Sequence, residues 1–352
     1  MMLLFYTILS LFLIIAPFYY FLCIFKYMKK SGRYILYLCT SLSIVTILLK
    51  VLLKPSFDLW FNIVSFYILC SFLLMLCLLI YQLWCHIFKQ SFQKWILFIC
   101  VFISIFTTGI GYYSHFHKEI THYNILIHKE TSLDSLNIAF ISDIHIGSGT
   151  TPQDIQNLVK KLNQKQYDLV CLGGDIFDES SSIDRIHQAL QILSTIHSQY
   201  GIIAIDGNHE KYISLSTREL YQKYNITYLN ENFVCIDGLF NIIGREDVSY
   251  HSSHSIEDIC QNMDSSLPTI VLDHNPQRYQ ENLEIADLQL SGHTHAGQVF
   301  PGSIITGLIY DNDYGLLTNQ DQSLIVSSGF GSWGYPIRLL THCEYIEVHV
   351  SF

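Results

Sequence analysis

The sequence predicts an α/β domain that follows a four-helix transmembrane region. Two observations predict this division. The first third holds long apolar runs with almost no charge inside them, whereas the remainder alternates short apolar runs with longer amphipathic ones. Such alternation is typical of parallel strands joined by helical crossovers. We therefore expect residues 1–114 to form a membrane anchor, 115–134 a connecting segment and 135–352 a globular domain.

Four apolar runs make up the expected anchor, at residues 1–25, 34–53, 59–88 and 95–113. Each is near or above the ~20 residues that cross a bilayer core. The alternative interpretation is that the four runs are core helices of a soluble protein. Such helices have a polar face, and these runs lack one. A cleaved signal peptide fits poorly, because no basic segment precedes the first run. The sequence thus predicts a multi-pass protein of the cell membrane.

Basic residues predict the orientation of this anchor. The connection at residues 26–33 holds four Lys and Arg, and the third connection holds Lys89 and Lys94. The excess of Lys and Arg on cytoplasmic connections places both of these loops in the cytoplasm. The globular domain is then expected to be extracytoplasmic.

The charge of the globular part limits its partners. Beyond Ser114 there are twelve Lys and Arg against 29 Asp and Glu, and the whole chain has a net charge of −10. An acidic surface without a basic stripe repels phosphate backbones, so nucleic acid is not expected as a partner. No Cys-x-x-Cys spacing indicates a zinc knuckle or a disulfide framework. A small or lipid-linked substrate remains.

The expected elements of the domain follow in order. Helices are predicted at 152–162, with Thr151 as the N-cap, at 183–196, at 217–224 and at 256–263. Residues 121–127 alternate in polarity, which favours an edge strand over a free linker. The remaining predicted strands are 136–142, 169–173, 202–205, 233–236, 240–243, 269–272, 288–290, 324–327 and 345–350.

Polar segments stand where five of these apolar runs end. They are SDIH at 142–145, GDIFD at 174–178, GNHE at 207–210, DHN at 273–275 and GHTH at 292–295. Carboxylate, imidazole and amide oxygen are ligands of divalent transition metals. If Asp175 bridges, about four ligands serve each of two ions, which together could split a phosphoester. The candidate ligands are Asp143, His145, Asp175, Asn208, His274, His293 and His295.

Four further residues are candidates around these ligands. His209, beside Asn208, is free to protonate a leaving alkoxide as the catalytic acid. Asp178 and Glu210 are expected to accept hydrogen bonds that orient the ligand groups. Arg245 is the cation expected to touch a substrate phosphate.

The ordered set Asp-x-His, Gly-Asp-x-x-Asp, Gly-Asn-His-Glu, His and Gly-His-x-His resembles the calcineurin-like metallophosphoesterases. The resemblance covers residues 136 to about 350. It implies two mixed β-sheets packed face to face with helices outside. It also implies a first metal on Asp143, His145, Asp175 and His295, a second on Asp175, Asn208, His274 and His293, and His209 as the acid.

Two C-terminal segments resemble the bacterial membrane- or wall-associated branch of that family. They are GHTHAGQ at 292–298 and SGFGSWGYPIR at 328–338. The branch often has Gly where Ala296 stands, and tends to Pro-Pro-Glu where this chain has His342, Cys343 and Glu344. Neither departure falls on a candidate ligand.

The expected function is that of a membrane-anchored, metal-dependent phosphoesterase. It would hydrolyse a phosphate monoester or diester, with a lipid-linked ester as one candidate, by a hydroxide held between two metal ions. Manganese, iron and zinc suit the ligand set alike. One alternative is a catalytically weak membrane binding or sensing protein on the same scaffold. Another is a transporter, which the absence of a buried acid–base pair in the spans disfavours.

Overall fold

The computed structural model describes residues 58–91, 93, 95–147, 149–179, 181–251 and 254–352. The first two predicted spans, at 1–25 and 34–53, lie outside the described residues. The chain divides into two compact units between Tyr112 and Tyr113.

In the first unit, helices occupy the third and fourth predicted spans. They are α1 (Asp58–Ile87) and α2 (Ile96–Phe116), the latter running into the second unit. Among the described residues, Ser65–Ile87 and Ile96–Phe116 are long and apolar enough to cross a membrane. At 1.5 Å per residue, a helix of 21 residues spans about 31 Å, which matches the ~30 Å hydrocarbon core.

The first sheet of the second unit contains six described strands in the order β1-β12-β2-β3-β4-β5. All neighbours are parallel except β12 and β2, which are antiparallel. The strands and the helices that connect them are β1 (Lys118–Leu126), β2 (Ser135–Ile141), α3 (Pro152–Leu162), β3 (Leu169–Gly173), α4 (Ile183–Leu193), β4 (Ile202–Ile205), α5 (Thr217–Lys223), β5 (Thr227–Tyr228) and β12 (Cys343–Ser351).

The second sheet also contains six described strands, in the order β10-β11-β9-β8-β7-β6. Its outer pairs are antiparallel and its inner pairs parallel. Its elements are β6 (Asn232–Ile236), β7 (Phe240–Gly244), α6 (Ile256–Ile259), β8 (Thr269–Leu272), α7 (Tyr279–Asn282), β9 (Leu288–Ser291), α8 (Gly302–Ile309), β10 (Gly315–Asn319) and β11 (Gln322–Val326).

Alternation along the strands explains why the two sheets pack on each other. In β2, Leu136, Ile138 and Phe140 enter the core that also holds side chains of β7, β8 and β9. Ala139 and Ile141 enter the core under α3, α4 and α5. Successive side chains of a strand point to opposite faces, so a strand buried on both faces reads as a continuous apolar run. The result is two packed mixed sheets with helices outside.

Most predicted elements are found near their expected bounds. Thr151 caps α3 and forms a capping box with Asp154. The predicted helices at 183–196 and 256–263 are too long, because α4 ends at Leu193 and α6 at Ile259. The expected edge strand at 121–127 corresponds to β1, at one edge of the first sheet beside β12. Much of the segment expected to connect the two parts is therefore sheet.

Candidate metal centre

The candidate ligands follow strands that run parallel and end at the same edge of each sheet. Asp143 and His145 follow β2, Asp175 follows β3 and Asn208 follows β4. In the second sheet, His274 follows β8, while His293 and His295 follow β9. Ligand sites of α/β sheets lie outside the carboxyl ends of such strands, where the loops converge.

Five of the seven candidate ligands have left-handed backbone conformations. The φ angles are 53° for Asp143, 48° for His145, 51° for Asp175, 71° for His293 and 52° for His295. Such conformations cost a non-glycine residue free energy and concentrate at functional sites. Backbone bonds fix them here: the amide of Asp143 donates to Gly174 O at 3.0 Å, and that of His145 to Asp175 O at 3.0 Å.

One side of the cluster joins Asp143, His145 and His295. His145 Nε2 lies 3.1 Å from His295 Nε2 and 4.0 Å from Asp143 Oδ1. His295 Nε2 lies 3.4 Å from the same oxygen. The three potential ligand atoms lie within 4.8 Å of one another, and all three residues are buried. This trio can surround a single cation.

The other side joins Asp175, His274 and His293, whose potential ligand atoms also lie within 4.8 Å of one another. His274 Nε2 is 3.1 Å from Asp175 Oδ2, and His145 Nε2 is 3.8 Å from that oxygen. Asp175 therefore belongs to this second trio and lies close to the first, and with His145 and His209 it forms a further group of potential ligands. Its position suits a carboxylate shared by two cations.

A buried polar atom without a hydrogen-bond partner supports the fit of this donor set to cations. The side-chain oxygen of Asn208 is buried and lacks one. Such orphaned atoms are costly unless an ion or water satisfies them. Asn208 directly precedes His209 in the sequence. The backbone amide of His209 donates to Asp175 Oδ1 at 2.8 Å. The residues present can thus hold two divalent cations.

The electrostatics of the cluster favour metal-binding forms. Burial lowers the pKa of His145 to about 3 and that of His293 to about 4, so both imidazoles are neutral at pH 7. Neutral imidazole is the form that binds metal. Burial opposes ionisation of Asp175, but His274 and the other histidines hold its pKa well below the usual range. Asp175 in turn raises the pKa of His274 despite burial. The proton shared by Asp175 and His274 occupies a position that a metal cation can take, because metal binding releases protons from its ligands.

His209 lies beside the cluster with its ring 4.9 Å from that of His145. Its Nδ1 is 3.0 Å from Glu179 Oε2, and its Nε2 is 4.0 Å from Asp175 Oδ2. Burial lowers the pKa of His209, but the hydrogen bond to Glu179 and the charges of Asp175, Glu179 and Glu210 together outweigh burial and raise the pKa to about 9. The sequence reasoning missed Glu179, which follows Asp178 directly and offers no spacing signal of its own.

Glu210 orients the loop that carries Asp175. Its Oε2 accepts from the amides of Asp175 at 3.0 Å and Gly207 at 2.7 Å, and its Oε1 accepts from Phe177 at 3.0 Å. Burial, with Asp175 and Asp206 nearby, raises the pKa of Glu210 to about 8. Asp178 is buried too, and its amide donates to Ser181 Oγ at 3.1 Å. Glu210 thus contacts the backbone of the ligand loop and not a ligand side chain.

The position of Arg245 does not agree with the expected contact to substrate. Its side chain is buried, and its guanidinium contacts Glu231, Glu281 and Asn282 at 3.4, 3.1 and 2.8 Å. Those partners hold it within the second sheet's loops. The paired carboxylates offset the cost of burying the charge of Arg245.

Arg338 is the buried cation that contacts a candidate ligand. Its Nη1 donates to His295 O at 2.7 Å, and its Nη2 lies 2.8 Å from His295 Nδ1. Its Nε donates to Ser332 Oγ at 3.0 Å. These bonds fix the ring of His295. Sequence spacing could not have shown this, because 43 residues separate the two.

We expect Gly292→Ala to disrupt the centre. A Cβ at Gly292 would lie 2.5 Å from Ser142 Oγ and even closer to Asp143 Oδ2, so the carboxylate must move. Bound metal per chain should fall to less than half, as measured by elemental analysis. Gly307→Ala is the matched control, because its Cβ would meet nothing closer than 3.9 Å. Equal metal content in both variants would contradict this reading.

Comparisons with known proteins agree with this geometry. Residues 136–297 match the sequence model of the family described as calcineurin-like phosphoesterase. An uncharacterized metallophosphoesterase of Helicobacter pylori is 34% identical over 217 residues, covering 59% of this chain and 58% of its own. One of Aquifex aeolicus is 27% identical over 253 residues, covering 69% and 96%.

A transmembrane protein with metallophosphoesterase domain from Bos taurus is 27% identical over 253 residues, covering 65% of this chain and 56% of its own. The match thus spans just over half the length of the Helicobacter and Bos relatives. The family match and the ordered ligand segments cover the same part of the chain. Residues 136–297 are therefore a domain of the calcineurin-like phosphoesterase family.

Proposed function

We propose that this protein is a membrane-anchored, metal-dependent phosphoesterase that hydrolyses a phosphate monoester or diester. The observation that carries the proposal is the position of Asp175, which forms one trio with His274 and His293 and lies 3.8 Å from His145 of the other trio. Two divalent cations, among manganese, iron and zinc, would supply the positive charge that polarises the phosphoryl group and activates water. Asp143, His145, Asp175 and His295 would hold one, and Asp175, Asn208, His274 and His293 the other.

The chain's own residues then supply positioning and proton transfer. Glu210 holds the backbone of the Asp175 loop, and Arg338 holds the ring of His295. His209 donates from Nδ1 to Glu179, which leaves Nε2 facing the cluster to protonate the departing oxygen. His209 is 6% exposed, so bulk water does not compete freely for that proton.

Membrane anchoring and orientation belong to the same proposal. The two apolar helices and the similarity to a protein named as transmembrane support attachment to a bilayer. The basic connections support a multi-pass anchor with the domain outside the cytoplasm. A domain held at the bilayer surface has continuous access to lipid-linked phosphoesters.

Turnover of a soluble aryl phosphate by the full chain tests this function. The protein, purified in neutral detergent and stripped of metal, is assayed against aryl monoester and diester while manganese, zinc or iron is added. We expect turnover that requires added metal and saturates near two ions per chain. Two bound ions with no turnover of either ester would instead support a binding or sensing role.

A further inference from the structure

An exposed apolar patch lies beside the metal centre. It consists of Phe300, Ile304, Ile305, Leu308, Ile309 and Leu340, whose exposed fractions run from 48% to 83%. No charged residue occurs at positions 299–310, although the domain is strongly acidic. Helix α8, which carries four of the six, has no buried residue. Contiguous exposed apolar surface marks an interaction site.

Two of the chain segments that carry the patch are paired with each other. The amide of Phe300 donates to Leu339 O at 3.1 Å, and Val299 pairs with Leu339. Phe300 and Leu340 therefore lie side by side. Pro301 follows directly and caps the start of helix α8, which carries the remaining side chains.

Both ends of helix α8 contact segments that carry candidate ligands. At its start, Gly302 packs so closely on Gly297, in the turn after His295, that a Cβ at Gly302 would clash with that carbonyl. Beyond its end, the ring of Tyr310 lies 6.1 Å from that of His293. The patch is thus attached directly to the loops that form the centre.

The same loops are connected to the last turn of a candidate membrane span. His115, in the last turn of α2, has Nδ1 2.8 Å from Ser332 Oγ. Arg338 donates to that hydroxyl at 3.0 Å and to His295 O at 2.7 Å. Three buried hydrogen bonds therefore link the end of this helix to a ligand.

We propose that the apolar patch inserts into the interfacial region of a lipid bilayer, so that the metal centre faces phosphoester groups of membrane lipids. The inference rests on the proposed function and names its substrate class, a phosphoester joined to an acyl-bearing lipid. A helix that lies in the membrane interface buries its apolar face about 5–10 Å into the headgroup and acyl boundary. Protein interfaces are enriched in aromatic residues, Met and Arg, whereas five of the six side chains of this patch are Ile or Leu.

Quenching by brominated acyl chains tests the insertion. The full chain carrying Leu308→Trp is reconstituted into vesicles of phosphatidylcholine and phosphatidylglycerol with brominated acyl chains. Wild-type protein, with its four tryptophans, provides the background. Ile183→Trp is the matched control, because Ile183 is an apolar side chain, 50% exposed, at the start of α4. We expect the added fluorescence at position 308 to fall at least twofold, and that at position 183 to stay unchanged.

Equal quenching at positions 308 and 183, or none at either, would overturn the proposal. Adding Leu340→Glu to Leu308→Trp should abolish the quenching, because a carboxylate resists transfer into hydrocarbon. Quenching does not depend on turnover. If Leu308→Trp is quenched while soluble aryl phosphate is not hydrolysed, membrane insertion is supported and the proposed phosphoesterase activity is refuted. If aryl phosphate is hydrolysed without quenching, only the insertion is refuted.

Discussion

Asp175→Asn is expected to lower turnover of an aryl phosphate by at least about a thousandfold and to reduce bound metal from two ions to one or fewer. Asp175 Oδ2 faces His274, His145 and His209 at 3.1, 3.8 and 4.0 Å, so this carboxylate serves both trios. Loss of about 4 kcal/mol of charge stabilisation corresponds to a thousandfold in rate. Asparagine is the right replacement because Asp175 has a φ of 51°, a conformation that asparagine tolerates.

Asp237→Asn is the matched control for that variant. Asp237 is exposed in the turn between β6 and β7 and has a φ of 50°, so the same change of side chain meets the same backbone conformation. Metal content, from elemental analysis of the dialysed protein, and turnover should both remain as in wild type. If Asp175→Asn kept two ions and more than a tenth of the activity, Asp175 would not be the shared ligand.

His209→Ala is expected to lower kcat by roughly 10²- to 10⁴-fold, the range typical of a general acid, while two metal ions stay bound. We expect kcat to fall without loss of metal, because His209 pairs with Glu179 and is not a member of the two trios that would hold the ions. The loss should be larger for an alkyl phosphate than for a nitrophenyl phosphate, because a good leaving group needs less protonation.

Metal content decides between the two roles open to His209. Its Nε2 also lies near His145 and Asp175, within a third group that could hold an ion. A His209→Ala variant that loses metal, with equal losses for both esters, would identify a ligand in place of an acid. His197→Ala, on an exposed loop, controls for removal of an imidazole and should leave kcat unchanged.

The candidate centre could be located from the sequence because each of its parts is local. Asp143, Asp175 and Asn208 each follow a buried strand that the apolar run predicts within one residue. Parallel strands that are neighbours in a sheet end at the same edge. Position after a strand thus converts sequence order into spatial proximity, which is why six of the seven candidate side chains come together in the two trios.

What the sequence missed depends on contacts without local signal. Arg338 and Glu179 reach His295 and His209 through side chains that no spacing relates to their partners. Strand β5 has two residues, too few for a pattern, and its pairing to β4 alone defines it. Helix α8 has eight residues, no charged side chain and no buried residue, so the sequence lacks the buried apolar face by which amphipathic periodicity identifies a helix.

The position of β12 has a consequence for how the chain is made. This strand lies between β1 and β2, although it is synthesised more than two hundred residues after β1. At about 5–20 residues per second, translation leaves β1 without its neighbour for roughly 10 to 40 s. During that interval β2 exposes an open edge. A premature stop before Cys343 would leave this edge open permanently.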